Sequence, residues 1–165
     1  MEINVEIAID KPAAAVWKVL GEDFADIDAW SSNVVSSSMD IAPAVGAVRT
    51  AEIAATGPIK PGDARETLTS FDLAAMSLAY RATEGIPGFI KSAANAWSVH
   101  EIDADHSLVK ANATMEIGGL ITLLLPLLKM QVKAVGTRYV EELKHYVETG
   151  RPHPRKAKAI AKNSA

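Results

Sequence analysis

The chain contains no cysteine. That excludes a disulfide framework, a thiolate metal site and a cysteine nucleophile. It also lacks a long hydrophobic run. The longest, residues 117–128, is far short of the roughly 20 residues that cross a bilayer as a helix. The opening MEINVEIAID has neither a basic leader nor a continuous apolar stretch. No secretory signal is read there, and a cytoplasmic location is expected. No G-x-S-x-G, phosphate-loop or dinucleotide fingerprint is present. The histidines, His100, His106, His145 and His153, stand at no ligand spacing such as i, i+4. Neither a metal nor a cofactor is expected from them.

What is present is ordinary for a globular chain, with 48% hydrophobic and 22% charged residues. At 165 residues one domain with a sizeable core is expected. The net charge of −3 conceals an asymmetry. All 20 acidic residues precede Arg151, with 12 of the 17 basic ones, so residues 1–150 carry −8. Residues 151–165 carry +5 from Arg151, Arg155, Lys156, Lys158 and Lys162. Residues 1–150 are therefore read as a single domain and 151–165 as a basic, disordered tail. Such a tail also suits an arm for anionic lipid. A body at −8 repels nucleic acid, so no nucleic-acid partner is expected.

The strongest pattern lies at 120–150. Leu124, Leu128, Val132, Val135, Tyr139, Leu143 and Tyr146 recur at steps of three and four, the signature of one face of a long helix. Gly150 and Pro152 end it. Pro126 fits the first turn of a helix beginning near it, and predicts a kink if the helix begins near Leu120. Before this helix the period is two. Ile3, Val5, Ile7 and Ile9 alternate with polar residues as the first strand. Asp10 and Pro12 open a short helix over 13–20, and a second is predicted at 24–27. Six more strands follow at 34–41, 47–55, 64–71, 75–83, 92–102 and 107–117, separated by turn residues. The fold class is α+β: a seven-stranded curved antiparallel sheet gripping a long C-terminal helix, with two short helices between the first two strands.

Several local motifs stand in a recognisable order. They are Lys11-Pro12 through Val16-Trp17 to Leu20, Phe24 to Trp30, Val45-Gly46-Ala47-Val48-Arg49, Arg65-Glu66-Thr67-Leu68 to Asp72, and Leu78-Ala79-Tyr80. Together they resemble the START/polyketide cyclase (SRPBCC) superfamily, which includes the birch-allergen-like proteins. The branch that fits best is the bacterial polyketide cyclase/dehydrase-like group. The resemblance covers roughly residues 1–150 and implies a helix-grip fold with a cavity between sheet and long helix. It also implies two gate loops, carrying Pro58 and Ile59 in one and Pro87 and Phe89 in the other. One departure matters. The lysine with which related plant hormone receptors meet a ligand carboxylate aligns near Val35, so that charge is missing here.

The residues themselves point the same way. Alanines on the inward rows, at 51, 111 and 113, leave volume unfilled and favour a cavity. Glu66 shares its face with Leu68 and is the best catalytic candidate. The bland alternative is an ion pair with Arg49 on the neighbouring strand. Ligand contacts are expected from Trp30, from Arg49 and Ile53, and from Glu66 and Leu68. On the next strands they are expected from Tyr80, from Asn95 and Trp97, and from Ala111 and Met115. On the long helix Leu124 and Leu128 are expected to form lid and wall. The expected partner is a hydrophobic or amphipathic small molecule (lipid, polyketide or aromatic), held by a carrier or sensor that is a monomer or homodimer. The alternative is a cyclase or dehydrase using Glu66. A greasy rim of Ile59, Ile86, Phe89 and Ile90 could also touch a membrane surface.

Overall fold

The computed structural model describes residues 1–54, 61–119 and 123–163. The period-two stretches form β1 (Glu2–Ile9), β2 (Val34–Met39), β3 (Val48–Ile53), β4 (Gly62–Asp72), β5 (Ser77–Glu84), β6 (Ile90–Glu101) and β7 (Ser107–Ile117). They make one 7-stranded antiparallel sheet in the order β1-β7-β6-β5-β4-β3-β2. From β2 to β7 each strand lies beside its neighbour in sequence, as short connections dictate. β1 instead pairs with β7, Glu2 opposite Thr114 and Ile9 opposite Ser107.

Between β1 and β2 the chain forms α1 (Ala13–Trp17), a wider turn over Lys18–Glu22 and a 3₁₀ segment over Phe24–Ala29. Gly21 is required there, because a Cβ would lie 2.5 Å from the Trp17 indole. Trp17 in turn packs on Phe71, ring centroids 5.6 Å apart. That contact exposes a shift in register. Leu68 faces Tyr80, whereas Phe71 faces Leu78, so β4 carries one extra residue between them. The bulge reverses parity. Ser70, which simple alternation places beside Glu66 and Leu68, is exposed, and Phe71 turns toward the core.

The long helix α2 (Leu125–Thr149) lies on the β1 side of the sheet's inner face. Pro126 sits in its first turn, where a missing N–H costs nothing. Residues 120–122, the start of the sequence pattern, lie outside the described residues. Gly150 ends the helix at φ +68°, its N–H donating to the Tyr146 carbonyl at 2.8 Å. Val140 and Leu143 are buried against the sheet. Truncating a fully buried leucine such as Leu143 to alanine costs about 2–5 kcal/mol. The helix-grip architecture expected from the sequence is the one observed.

The basic segment after Gly150 holds one further element among the described residues. Pro154–Asn163 form a helix, α3, docked on the body. The cause is electrostatic. Glu142 on α2 is fully buried and accepts the Ser32 N–H at 2.8 Å and the Ser32 hydroxyl at 2.6 Å. Arg155 pairs with Glu141 and lies 3.6 Å from Glu142. Lys156 donates to the Val34 carbonyl at 2.6 Å, capping the outer strand β2. Arg155 and Lys156, beside the buried Glu142 and an open strand edge, find more partners docked than solvated.

Candidate ligand cavity

The inner face is built from rows of opposed residues. One row is Val5, Ala111, Trp97 and Leu78, across β1, β7, β6 and β5. The next is Ile3, Ala113, Asn95, Tyr80 and Leu68. The alanines on β7 are short, so the sheet surface recedes there. Above them α2 presents Val132, Val135, Gly136 and Tyr139 at helical spacing. Val19, Leu20, Phe24, Ile27 and Trp30 close a third side. These three elements enclose a cavity of about 150 Å³.

Of the residues expected at the ligand, Trp30, Arg49, Tyr80, Asn95, Trp97, Ala111 and Met115 line this space. Ile53, Glu66 and Leu68 do not. Leu68 is fully packed in the core, Ile53 packs against the core away from the cavity, and Glu66 stands behind Arg49. Leu124 and Leu128 are also off the wall, and Leu124 is 54% exposed. The helix meets the cavity about one turn further along, at Val132 to Tyr139. Leu123, Leu127 and Met130 are exposed as well.

Pro58 and Ile59 lie outside the described residues. Pro87 and Phe89 are half-buried and do not reach the cavity. Their loop is tied down by hydrogen bonds from the Ile90 N–H to the Pro87 carbonyl, 2.8 Å, and from the Gly118 N–H to the Phe89 carbonyl, 2.9 Å. Gly85 anchors its base. At φ +79°, with Asp63 O only 2.3 Å from where a Cβ would stand, no other residue fits.

Sequence reasoning missed the wall supplied by Val19, Leu20, Asp23, Phe24 and Ile27. The stripe of Val16, Trp17 and Leu20 reads as plain packing, and nothing in its period separates packing from lining.

Arg49 is the charged centre of the site. It is 2% exposed. Its Nε and one terminal nitrogen donate to a single oxygen of Glu66, at 2.9 and 2.5 Å. The other terminal nitrogen donates to the Phe24 carbonyl at 2.9 Å. The guanidinium lies 3.7 Å above the Phe24 ring. Burial opposes its charge, but Glu66 outweighs burial and holds the pKa above the ordinary arginine value. Arg49 is thus a clip joining β3, β4 and the 3₁₀ segment. The Tyr80 hydroxyl is pushed well above the usual tyrosine range by burial, then by the Glu66 charge. Burial and Glu66 raise Tyr139 in the same way. Both phenols stay neutral at physiological pH.

The histidines are less scattered than their spacing suggests, since His145 and His153 have ring centroids 5.1 Å apart. Among the described residues no three metal-capable side chains converge. Among them, too, no helix is long and apolar enough to cross a membrane.

No curated protein sequence matches the chain. Solved structures do resemble it. The di-domain ARO/CYC BexL from the BE-7585A biosynthetic pathway aligns with TM-score 0.76 and 18% identity, over 90% of this chain and 46% of that one. The chain therefore spans about half the length of that protein. A START superfamily protein from Mycobacterium smegmatis aligns with TM-score 0.72 and 11% identity, over 89% of this chain and 97% of that one. Norcoclaurine synthase from Thalictrum flavum gives 0.68 and 14%, over 89% and 86%. At such identities the likeness is one of fold. The sequence itself matches the family described as polyketide cyclase/dehydrase and lipid transport over residues 1–148. With that match spanning nearly the whole chain, and the helix-grip sheet and cavity in place, the protein belongs to the polyketide cyclase/dehydrase and lipid transport family.

Proposed function

We propose that this protein encloses one hydrophobic or amphipathic small molecule between its sheet and α2, as a carrier or sensor. The observation that carries the reading is the cavity of about 150 Å³ with a wall that is mostly aliphatic and aromatic. A well-packed interior has few voids larger than a water molecule. A void of this size, lined by Val5, Ala111, Val132 and Val135, is suited to an apolar guest. Its volume fits a molecule near the size of a single aromatic ring. A lipid or polyketide requires α2 or the 3₁₀ segment to move outward. In this reading residues 1–150 are the binding unit and α3 is a strap across it.

The reading is tested by gentle purification followed by native mass spectrometry, with uptake assayed for a panel of small aromatic and lipid compounds. Co-purified or saturably bound ligand is the expected result. No uptake of any compound, with no site for an apolar dye, overturns it.

A cyclase- or dehydrase-type enzyme built on Glu66 has less support. Glu66 is off the cavity wall and engaged by Arg49, and Tyr80 stays neutral. Unchanged turnover in a substrate screen on Glu66→Gln removes that carboxylate from any mechanism.

A further inference from the structure

The polar groups on the cavity wall are almost all occupied by the protein itself. Arg49 donates from all three guanidinium nitrogens, to Glu66 and to the Phe24 carbonyl. The Tyr80 hydroxyl is met by the Trp97 side chain. The Tyr139 hydroxyl is met by the side chains of Ser31 and Asn33. Asp23 takes the Lys18 ammonium at 2.5 Å. Asn112 donates to Glu2 and Asn4 on the outer side of the sheet, at 2.7 and 2.6 Å. That leaves Asn95. It stands between Tyr80 on β5 and Ala113 on β7, on the row that faces α2. Among the described residues its side-chain amide has no hydrogen-bond partner.

An amide offers two N–H donors and a carbonyl acceptor. Asn95 is half-buried, so water can meet these groups when the cavity is empty, and a guest that displaces this water must replace its hydrogen bonds. The same inventory argues against a charged guest. The wall's guanidinium is charge-balanced by Glu66, and Asp23 is charge-balanced by Lys18 in an exposed pair that engages one of its two oxygens. A carboxylate ligand finds no uncompensated cation on the wall, and an ammonium ligand no uncompensated anion. Either must give up its hydration without an ion pair in return.

We infer that the ligand is an uncharged, ring-sized molecule carrying one hydrogen-bonding group, and that Asn95 receives that group. This rests on the binding reading above and assigns it a ligand class and a specificity residue. Arg49, the residue that a search for an acid-binding site picks first, is here part of the frame.

The test uses the full chain and four probes of similar size: acetophenone, toluene, benzoate and benzylamine. Dissociation constants are measured by NMR titration for the wild type, Asn95→Leu and Asn95→Ser. The wild type is expected to bind acetophenone about tenfold or more tighter than benzoate or benzylamine, the scale of one buried hydrogen bond or an unpaired charge. Asn95→Leu is expected to lower the acetophenone-to-toluene affinity ratio about tenfold, and Asn95→Ser to restore part of it. Toluene binding also reports that each variant keeps its cavity. Should Asn95→Leu fail to fold, the Asn95→Ser ratio decides, since its shorter hydroxyl must still lower it measurably. An unchanged ratio means Asn95 serves water only and overturns the assignment, while leaving binding itself intact. Benzoate or benzylamine binding as tightly as acetophenone overturns the uncharged class. If neither acetophenone nor toluene binds the wild type, this inference falls together with the reading beneath it.

Discussion

Arg49 and Glu66 stand opposite one another on β3 and β4, and Arg49 gives two of its nitrogens to one Glu66 oxygen. The pair is buried on the arginine side, where the side chain is 3% exposed, and partly open at Glu66, 17%. Removing one partner of such a pair strands the other. Glu66→Leu is expected to lower stability by about 3 kcal/mol. Replacing both, as Arg49→Met with Glu66→Leu, is expected to cost less than the two single changes added together. Urea unfolding of the four proteins checks this.

Gly136 gives a second prediction. It sits inside α2, where glycine weakens a helix, and a Cβ there would meet Val5 at 3.5 Å, an ordinary contact. Gly136→Ala is expected to raise stability by about 0.5–1 kcal/mol. Gly136→Leu is expected to fill the cavity, leaving the fold intact while abolishing ligand uptake. Leu128→Trp is expected to leave ligand uptake unchanged, because Leu128 is off the wall.

Strand and helix periodicities carried most of the architecture. Alternation located all seven strands, and the spacing of Val132, Val135 and Tyr139 located the inner face of α2. Parity failed where the backbone departs from regularity. The bulge between Leu68 and Ser70 exchanges Ser70 for Phe71 on the inner face, and no residue type there announces it. An apolar helix start looks alike whether or not it lines a cavity, so the period alone does not separate Leu124 and Leu128 from Val132 and Val135. The third wall came from residues whose pattern also serves packing. The α3 strap was invisible because its attraction is to Glu142 and the Val34 carbonyl, which only the fold brings near. In the pairing of Arg49 with Glu66, the structural alternative to ligand contact is what the geometry displays.

The strap yields a third expectation. Truncation after Gly150 strips Arg155 and Lys156 from the buried Glu142 and from β2. It is expected to cost about 3 kcal/mol, the scale of unpairing a buried charge. Thermal unfolding of the truncated chain measures it. An unchanged midpoint would mean that 151–165 behave as a free tail after all.

His153 makes the strap sensitive to pH. Its Nδ1 accepts the Arg155 N–H at 3.1 Å, as a cap to α3. Its pKa is lowered from 6.5, first by partial burial and then by the Arg155 and His145 charges, against the opposing Glu142 and Glu141. The folded pKa is below the unfolded one, so the unfolded chain binds more protons between them. This contribution is therefore complete above the unfolded value of 6.5 and is lost as pH falls toward the folded one. The group is largely exposed, so the effect is small. His153→Asn keeps a capping acceptor and is expected to flatten the acid limb of stability against pH. An identical pH profile in that variant would remove His153 as its source.

The central claim is that a guest sits between the sheet and α2. The direct measurement is a methyl-resolved NMR titration of the wild type with toluene. The expected result is saturable shifts at Val5, Ala111, Ala113, Val132 and Val135, absent in Gly136→Leu. Shifts confined to the exposed Leu123, Leu124 and Leu127, or no saturable shift at all, would contradict it.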